Sequence, residues 1–302
     1  MTTNQTNQNV YQKITDQIVA AMEAGAHRFE MPWHTSNPRP VNVVSGKPYR
    51  GVNTLALWVA EQLNGYASGT WGTYKQWNSI GAQVRKGERA ATVVFFKDLE
   101  RPVDEDENEE TKSQRSFVAT AAWVFNADQV DGYTASEVTP PVDKTKRLNQ
   151  VEAFVAATQA TIQERGHSAC YNLTTDTIHM PERALFVGSS TSSATESFYS
   201  TLLHELTHWT GHPARLNREL KNRFGDAAYS MEELIAELGA AFLCADLGVA
   251  PSPRPDHAAY IQGWLSILRQ DKRALFTAAS KASAASDYLF KLQPQQPLEQ
   301  AA

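Results

Sequence analysis

The spacing of hydrophobic and polar positions divides the chain into two parts with different element content. In the first part, apolar residues at helical spacing predict helices over 14–25, 51–65 and 73–81. Two continuous apolar runs, 91–96 and 116–126, predict strands instead. Because a long polar stretch separates these two runs, we expect a hairpin with an extended insertion.

Helical spacing dominates the second part. A polar segment containing two prolines, 136–147, is typical of a linker. It is followed by a predicted helix over 148–166, a short strand or hairpin over 171–181, and mainly helical sequence as far as residue 292. We therefore predict an α+β protein in which an α+β domain over 1–135 is joined to a mainly helical domain over 148–302.

Composition limits the class of protein. The 302 residues suffice for two domains that each bury a core. The sequence contains no apolar run long enough to cross a membrane, and its polar start lacks the features of a signal peptide. The two cysteines, Cys170 and Cys244, are too far apart in the chain to suggest a disulfide framework. We expect a cytoplasmic protein with no membrane partner.

The net charge of −5 is unevenly distributed. Residues 1–97 carry ten Lys and Arg against five Asp and Glu, whereas residues 98–110 carry eight acids and one Arg. We expect the acidic insertion, residues 98–115, to form a solvated loop; the alternative is a phosphate mimic that covers the basic face. Because the first hundred residues are locally basic, the overall charge does not exclude a nucleic-acid partner.

The sequence HELTH, which begins at His204, has the spacing of a metal site. On a helix, His204 and His208 lie one turn apart and can bind one divalent ion, with Glu205 beside the bound water as a general base. The alternative is an amphipathic helix with surface histidines. A third histidine, His212, follows Gly211, where the helix should end, and we expect it behind the ligands or on the substrate side.

A catalytic zinc needs a third protein ligand, and the next predicted helix offers two acids. Glu233 and Glu237 are four residues apart and share one helix face. One can bind the metal while the other accepts a hydrogen bond from the far nitrogen of a ligand histidine, and the spacing leaves their roles open. Tyr229, just before this helix, is a candidate for stabilising an oxyanion; the alternative is a packing or exposed role.

The first part of the chain combines cations with aromatic rings. Five of the seven tryptophans precede residue 130. Single-strand binding needs cations along the phosphates and flat rings on which bases stack. We assign Trp58 and Trp123 to the core. The candidates for DNA binding are Tyr49, Arg50, Trp71, Tyr74, Lys75, Arg85 and Lys86.

HELTH followed by a helical E-x-x-x-E resembles the gluzincin class of zinc metallopeptidases. The resemblance implies that His204, His208 and Glu233 hold the metal, that Glu205 is the general base, and that Glu237 supports a ligand histidine. It also implies one zinc ion per chain, with Mn²⁺ or another divalent ion as the alternative.

Both halves together resemble ArdC-type antirestriction proteins. The segments "SGKPYRGVN", "TWGTYKQWNSIGAQVRKGE" and "WVFNADQVDG" are similar to their N-terminal domain, and "FYSTLLHELTHWTGHPARLNR" to their zincin-like metallopeptidase domain. The resemblance implies a plasmid-type protein that binds incoming single-stranded DNA and protects it from host restriction. A host protein is a further partner if the peptidase site is competent, which the sequence leaves open. The alternatives are a DNA-binding shield with a structural zinc, and a metallopeptidase whose first half recognises protein.

Overall fold

A computed structural model describes the protein in two compact units, formed by residues 1–20 with 40–135 and by residues 21–39 with 136–302. The sequence had placed residues 21–39 in the first domain, whereas the fold places them with the second unit. None of the helices in the described part of the chain combines the length and apolarity that a bilayer crossing requires. The described residues are 2–26, 31–35, 37–99, 116–134, 144–189, 192–220, 226–251 and 257–294.

The first unit is α+β, as the spacing predicts. Its four-stranded sheet has the order β1-β2-β5-β4, and β3 pairs with β6 in a second, two-stranded sheet. The elements are α1 (Thr2–Gly25, which continues into the second unit), β1 (Val41–Asn42), α2 (Val52–Asn64), β2 (Thr70–Gly72), α3 (Tyr74–Ser79), β3 (Gln83–Val84), β4 (Ala91–Leu99), β5 (Ser116–Asn126) and β6 (Val130–Asp131).

The predicted hairpin is confirmed. Strands β4 and β5 pair antiparallel from Ala91 opposite Val124 to Leu99 opposite Ser116. Most of the predicted acidic loop, residues 100–115, lies outside the described residues.

Three buried tryptophans form part of the core of the first unit. Trp58 is buried as predicted. Trp71 and Trp77 are fully buried, and their indole nitrogens donate to Glu61 Oε1 at 2.9 Å and to the Phe125 carbonyl at 3.0 Å. The assignment of Trp123 to the core is wrong, because its side chain is 62% exposed. Its neighbour Val124 is fully buried, and alternation along β5 places Trp123 on the opposite face.

The second unit is mainly helical, with one three-stranded sheet of order β7-β9-β8. The predicted helix over 148–166 ends earlier, because Gln159 adopts a left-handed backbone conformation and the β-branched pair Thr161–Ile162 continues as a strand. The elements are α4 (Lys144–Ala157), β7 (Thr161–Glu164), β8 (Cys170–Asn172), β9 (Thr177–Met180), α5 (Ala194–Thr210), α6 (Ala227–Leu247), α7 (His257–Gln270) and α8 (Ala274–Lys291).

Helices α5 and α6 approach closely, and this contact positions the metal centre described below. Helix α5 begins with a capping box in which Ser193 and Glu196 exchange hydrogen bonds with each other's backbone. Where the helices meet, Gly239 faces Thr207, whose side chain is fully buried. A Cβ atom on Gly239 would lie 2.5 Å from Thr207 Cγ2, so only glycine permits this helix separation.

Gly239→Ala is expected to lower the free energy of unfolding by about 1–3 kcal/mol, because overpacking the helix contact outweighs the helix propensity that alanine adds. Urea unfolding of the metal-free protein measures the loss. Thr207→Ala removes the two side-chain atoms nearest to the new methyl group. In that background the cost of Gly239→Ala should shrink; an equal cost in both backgrounds would contradict the steric explanation.

Candidate metal centre and nucleic-acid surface

Three side chains from α5 and α6 converge on one point. His204 and His208 lie one turn apart on α5, and their Nε2 atoms are 3.2 Å from each other. Glu233 on α6 faces both of them: its Oε2 lies 3.5 Å from His204 Nε2, and its Oε1 lies 3.5 Å from His208 Nε2. All three side chains are buried or nearly so.

The separations of these donor atoms fit a divalent ion. Ligand atoms about 2.0–2.1 Å from a tetrahedral ion lie about 3.3 Å from one another. The histidine nitrogens are 3.2 Å apart and each lies 3.5 Å from a different oxygen of Glu233, and one donor atom from each residue can be chosen so that all three lie within 4.8 Å of one another. Two imidazoles and one carboxylate also form a donor set typical of catalytic zinc, which leaves a fourth position for water or substrate. The residues present therefore fit a divalent metal ion.

His208 is oriented from behind by Glu232. Its Nδ1 lies 3.1 Å from Glu232 Oε1, which makes Nδ1 the protonated nitrogen and leaves the Nε2 lone pair for a metal. Arg218 in turn binds both oxygens of Glu232, from Nε to Oε2 at 3.0 Å and from Nη2 to Oε1 at 2.8 Å. Burial acts to raise the pKa of Glu232, but these two partners hold it below its usual range.

His204 is backed by Glu237, whose Oε2 lies 3.6 Å from His204 Nδ1. Glu237 therefore faces the nitrogen that points away from the convergence point, whereas Glu233 faces Nε2. Of the two acids that the sequence left open, the geometry places Glu233 among the donors and Glu237 behind one of them. Glu232 and Arg218 lie outside the sequence prediction, although Glu232 directly precedes Glu233.

A cavity of about 740 Å³ opens onto the three donors. Glu205 lines the cavity and is 4% exposed. Tyr229 lines it as well, and its hydroxyl lies 3.3 Å from the hydroxyl of Tyr260. Burial raises the pKa of Tyr229 above its usual range, and the hydrogen bond with Tyr260 acts in the same direction. Tyr229 therefore keeps its proton at neutral pH and can donate it.

His212 lies apart from this group. It follows the end of α5, and its Nδ1 accepts the Ala214 backbone N–H at 3.1 Å. It is not among the described residues that line the cavity. The structure thus places His212 neither behind a ligand histidine nor on the substrate side.

For two of the seven residues predicted to bind DNA, burial of the side chain excludes the predicted role. Trp71 is fully buried and Tyr49 is 7% exposed, so neither presents a ring on which a base could stack. Both pack in the hydrophobic core against α2 and the sheet. The remaining five, Arg50, Tyr74, Lys75, Arg85 and Lys86, are exposed.

Three of the exposed residues, Tyr74, Arg85 and Lys86, line one open groove of about 700 Å³. Arg85 is paired there with Glu88 at 3.0 Å and Asp131 at 3.6 Å, so part of its charge is already compensated. Elsewhere in the unit, the ring of Trp123 is exposed, although the sequence analysis assigns this residue to the core. The alternation of β5 places Trp123 on the face opposite Val124, but the alternation alone does not say which face a helix covers.

Comparison with known proteins agrees with both halves of this description. The N-terminal domain of anti-restriction factor ArdC matches residues 8–125, and a zincin-like metallopeptidase family matches residues 149–281. The chain is 46% identical over 299 residues to the uncharacterized protein y4eC of Sinorhizobium fredii, covering 96% of this chain and 95% of that protein. It is also 32% identical to the DNA primase TraC of Escherichia coli, of which it covers 28%.

Two solved structures of the antirestriction ArdC protein from plasmid R388 are similar along nearly the whole chain. The metal-free structure is 39% identical with a TM-score of 0.74, covering 94% of this chain and 97% of that one. The Mn(II)-bound structure is also 39% identical, with a TM-score of 0.75 and coverages of 95% and 99%. With an ArdC-type first half, a zincin-like second half and a donor set that fits a divalent ion, the chain belongs to the ArdC antirestriction family.

Proposed function

We propose that this protein binds single-stranded DNA through its first unit, protects that DNA from restriction, and carries a metallopeptidase site in its second unit. The observation that carries the peptidase part is the convergence of His204, His208 and Glu233 in an open cavity that Glu205 also lines. A purely structural zinc site needs four protein ligands and no general base. Three donors with a buried acid beside them favour a catalytic site.

Each side chain of the site has a chemical role in the proposal. His204, His208 and Glu233 would hold the ion, which we infer to be zinc. When bound, such an ion supplies Lewis acidity and lowers the pKa of a coordinated water. Glu205 accepts a proton during attack on a carbonyl and later returns it to the leaving group. The hydroxyl of Tyr229 donates a hydrogen bond to the oxygen that gains negative charge.

The lining of the cavity favours a peptide over a phosphodiester as substrate. None of its described lining residues is a lysine or an arginine, whereas three are glutamates. A phosphodiester would therefore find no such cation among them to pair with its phosphates, whereas an amide carbonyl needs none. Leu185 and Val187 line the cavity and are 49% and 81% exposed, so they can receive an apolar side chain. We infer a peptide substrate with an apolar residue next to the scissile bond.

DNA binding rests on the exposed cations and rings of the first unit. Arg50, Lys75 and Lys86 are exposed and can contact phosphates, and Tyr74 and Trp123 offer rings that are 47% and 62% exposed. Base stacking and phosphate contacts do not depend on base identity, so we expect little sequence preference. Because contacts to phosphates release counterions, we expect the affinity to fall steeply as the salt concentration rises.

Glu205→Ala is expected to separate the two activities. Because Glu205 is a base and not a donor to the ion, the variant should keep zinc and single-strand affinity while casein cleavage falls at least ~100-fold. The matched variant Lys75→Ala/Lys86→Ala should do the opposite, with weaker single-strand binding and a smaller salt slope. Zinc content, fluorescence anisotropy with labelled oligonucleotides and casein cleavage measure the three properties.

Measuring protection of DNA from restriction in cells then shows whether protection depends on DNA binding or on proteolysis. We expect Glu205→Ala to protect and the lysine variant to lose protection, since shielding DNA requires binding alone. If Glu205→Ala kept zinc and DNA but lost protection, proteolysis would be the mechanism. Equal affinity of the wild-type protein for single strands and duplex at one ionic strength would contradict the DNA part of the proposal.

A further inference from the structure

Glu237, which backs His204, is itself held by two residues from the start of the chain. His34 Nε2 lies 2.6 Å from Glu237 Oε1, and Trp33 Nε1 donates to the same oxygen at 3.3 Å. These contacts lie within the second unit, which includes residues 21–39. The other oxygen of Glu237 is the one that faces His204.

The direction of the hydrogen bond from His34 follows from its second ring nitrogen. The Met31 backbone N–H donates to His34 Nδ1 at 3.1 Å, so Nδ1 carries no proton. The ring proton is then on Nε2, which donates to Glu237. Two donors on Oε1 fix the rotation of the carboxylate, and that rotation sets the position of Oε2, which lies at an ion-pair distance of 3.6 Å from His204 Nδ1.

Burial makes these bonds strong and specific. The side chains of His34 and Glu237 are 5% and 7% exposed, and Trp33 is 1% exposed. A carboxylate removed from water needs full hydrogen bonding, and bonds to its charge are about twice as strong as neutral ones. Turning Glu237 away from His34 would therefore cost more than it would at a surface.

The segment that carries the two residues contacts α6, α7 and α8. Arg39 donates to Asp246 Oδ2 at 2.7 Å and to Ser286 Oγ at 3.1 Å, and its guanidinium lies 4.7 Å from the ring centroid of Phe242. The ring of Trp33 packs against Trp264 of α7, with centroids 6.2 Å apart.

We propose that Trp33 and His34 are positioning residues of the metal centre: they orient Glu237, and Glu237 orients His204 towards the ion. This inference rests on the proposed metal site. It also places part of the metal centre outside residues 149–281, the range that matches the zincin-like family. A segment lying N-terminal to most of the DNA-binding unit would thus contribute to metal affinity.

The test is zinc affinity of full-length variants, measured by competition with a chromophoric chelator. His34→Ala should weaken zinc binding about 10–100-fold, as the loss of outer hydrogen-bond partners does at other metal sites. His34→Gln keeps a donor near the position of Nε2 and should recover most of the loss. Trp33→Phe removes the longer of the two bonds and should have a smaller effect. Trp77→Phe, at a tryptophan equally buried in the first unit, is the control and should leave zinc affinity unchanged.

A double-mutant cycle distinguishes positioning from a general effect on the fold. If His34 acts through Glu237, His34→Ala should weaken zinc binding less than about twofold further in a Glu237→Ala background. The proposal is overturned if His34→Ala binds zinc within twofold of wild type, or if it loses the same factor in both backgrounds. Should His34→Ala fail to fold, Trp33→Phe decides the question, and zinc affinity equal to that of wild type in this variant would overturn the proposal. Absence of zinc binding by the wild-type protein would instead refute the proposed metal site.

Discussion

His204→Ala and His208→Ala are each expected to weaken divalent metal binding by at least ~100-fold, more than the loss of an outer partner costs. Each change removes one of three donors whose Nε2 and carboxylate oxygen atoms lie 3.2–3.5 Å apart. Glu233→Ala should lose zinc to a similar extent. Glu237→Ala should lose about 10–100-fold, because this acid faces Nδ1 of His204 and not the ion. Chelator competition and elemental analysis measure these losses.

His212→Ala provides the matched control. It belongs to the same run of histidines four residues apart, but its ring lies beyond the end of α5 and binds the Ala214 N–H. We expect its zinc content to equal that of wild type. Undiminished zinc in His204→Ala would refute the metal centre, and a larger loss for Glu237→Ala than for Glu233→Ala would exchange the roles of the two acids.

Arg218→Met is expected to destabilise the metal-free protein by about 3–5 kcal/mol, because it leaves Glu232 buried without its charge partner. The side chains of Arg218 and Glu232 are 5% and 9% exposed, and Arg218 also donates to Thr210 Oγ1 at 2.8 Å and to the Thr207 carbonyl at 2.6 Å. Methionine fills much of the volume but makes none of these bonds. Denaturant unfolding with a chelator present measures the change without a contribution from bound metal.

Arg269→Met serves as the comparison for Arg218→Met. Arg269 pairs with Glu23 at the surface, where the two side chains are 58% and 45% exposed, so its loss should cost less than about 1 kcal/mol. Arg218→Met combined with Glu232→Leu should recover part of the stability, because no unpaired charge then remains. Equal costs for the two single arginine variants would show that the buried pair does not stabilise the fold.

The donors of the metal centre could be predicted from sequence because their arrangement is local. His204 and His208 are one helical turn apart and share one helix face, and Glu233 and Glu237 share a face of the helix that follows, so the candidates could be named. The choice of Glu233 over Glu237, however, needed the packing of the two helices. Their outer partners depend on tertiary structure. Arg218 comes from the irregular chain after α5, and His34 lies 203 residues before Glu237. Neither position has a periodic pattern that could reveal it.

The exposure of the aromatic side chains, in contrast, could not be predicted from the sequence. Trp71 and Trp123 both occur among cations and strand-like sequence, yet one is fully buried and the other is 62% exposed. Period-two alternation says that neighbours lie on opposite faces, but not which face is covered by a helix. In this protein α2 packs on the face that carries Trp71 and Val124. Which rings are available to a base is therefore decided by helix placement, which the spacing does not encode.

Residues 21–39 belong to the second unit although they precede most of the first unit in the chain, and this order affects folding during synthesis. Trp33 and His34 leave the ribosome long before Glu237, since His34 and Glu237 are 203 residues apart. At about 5–20 residues per second this interval lasts roughly 10–40 seconds. During that time the first unit can collapse, while Trp33 and His34 still lack the helix against which they are buried. Such contacts between distant parts of a chain slow folding. The surroundings of His204 are thus completed only after Glu237 has been synthesised, and until then the nascent chain has no assembled candidate metal centre.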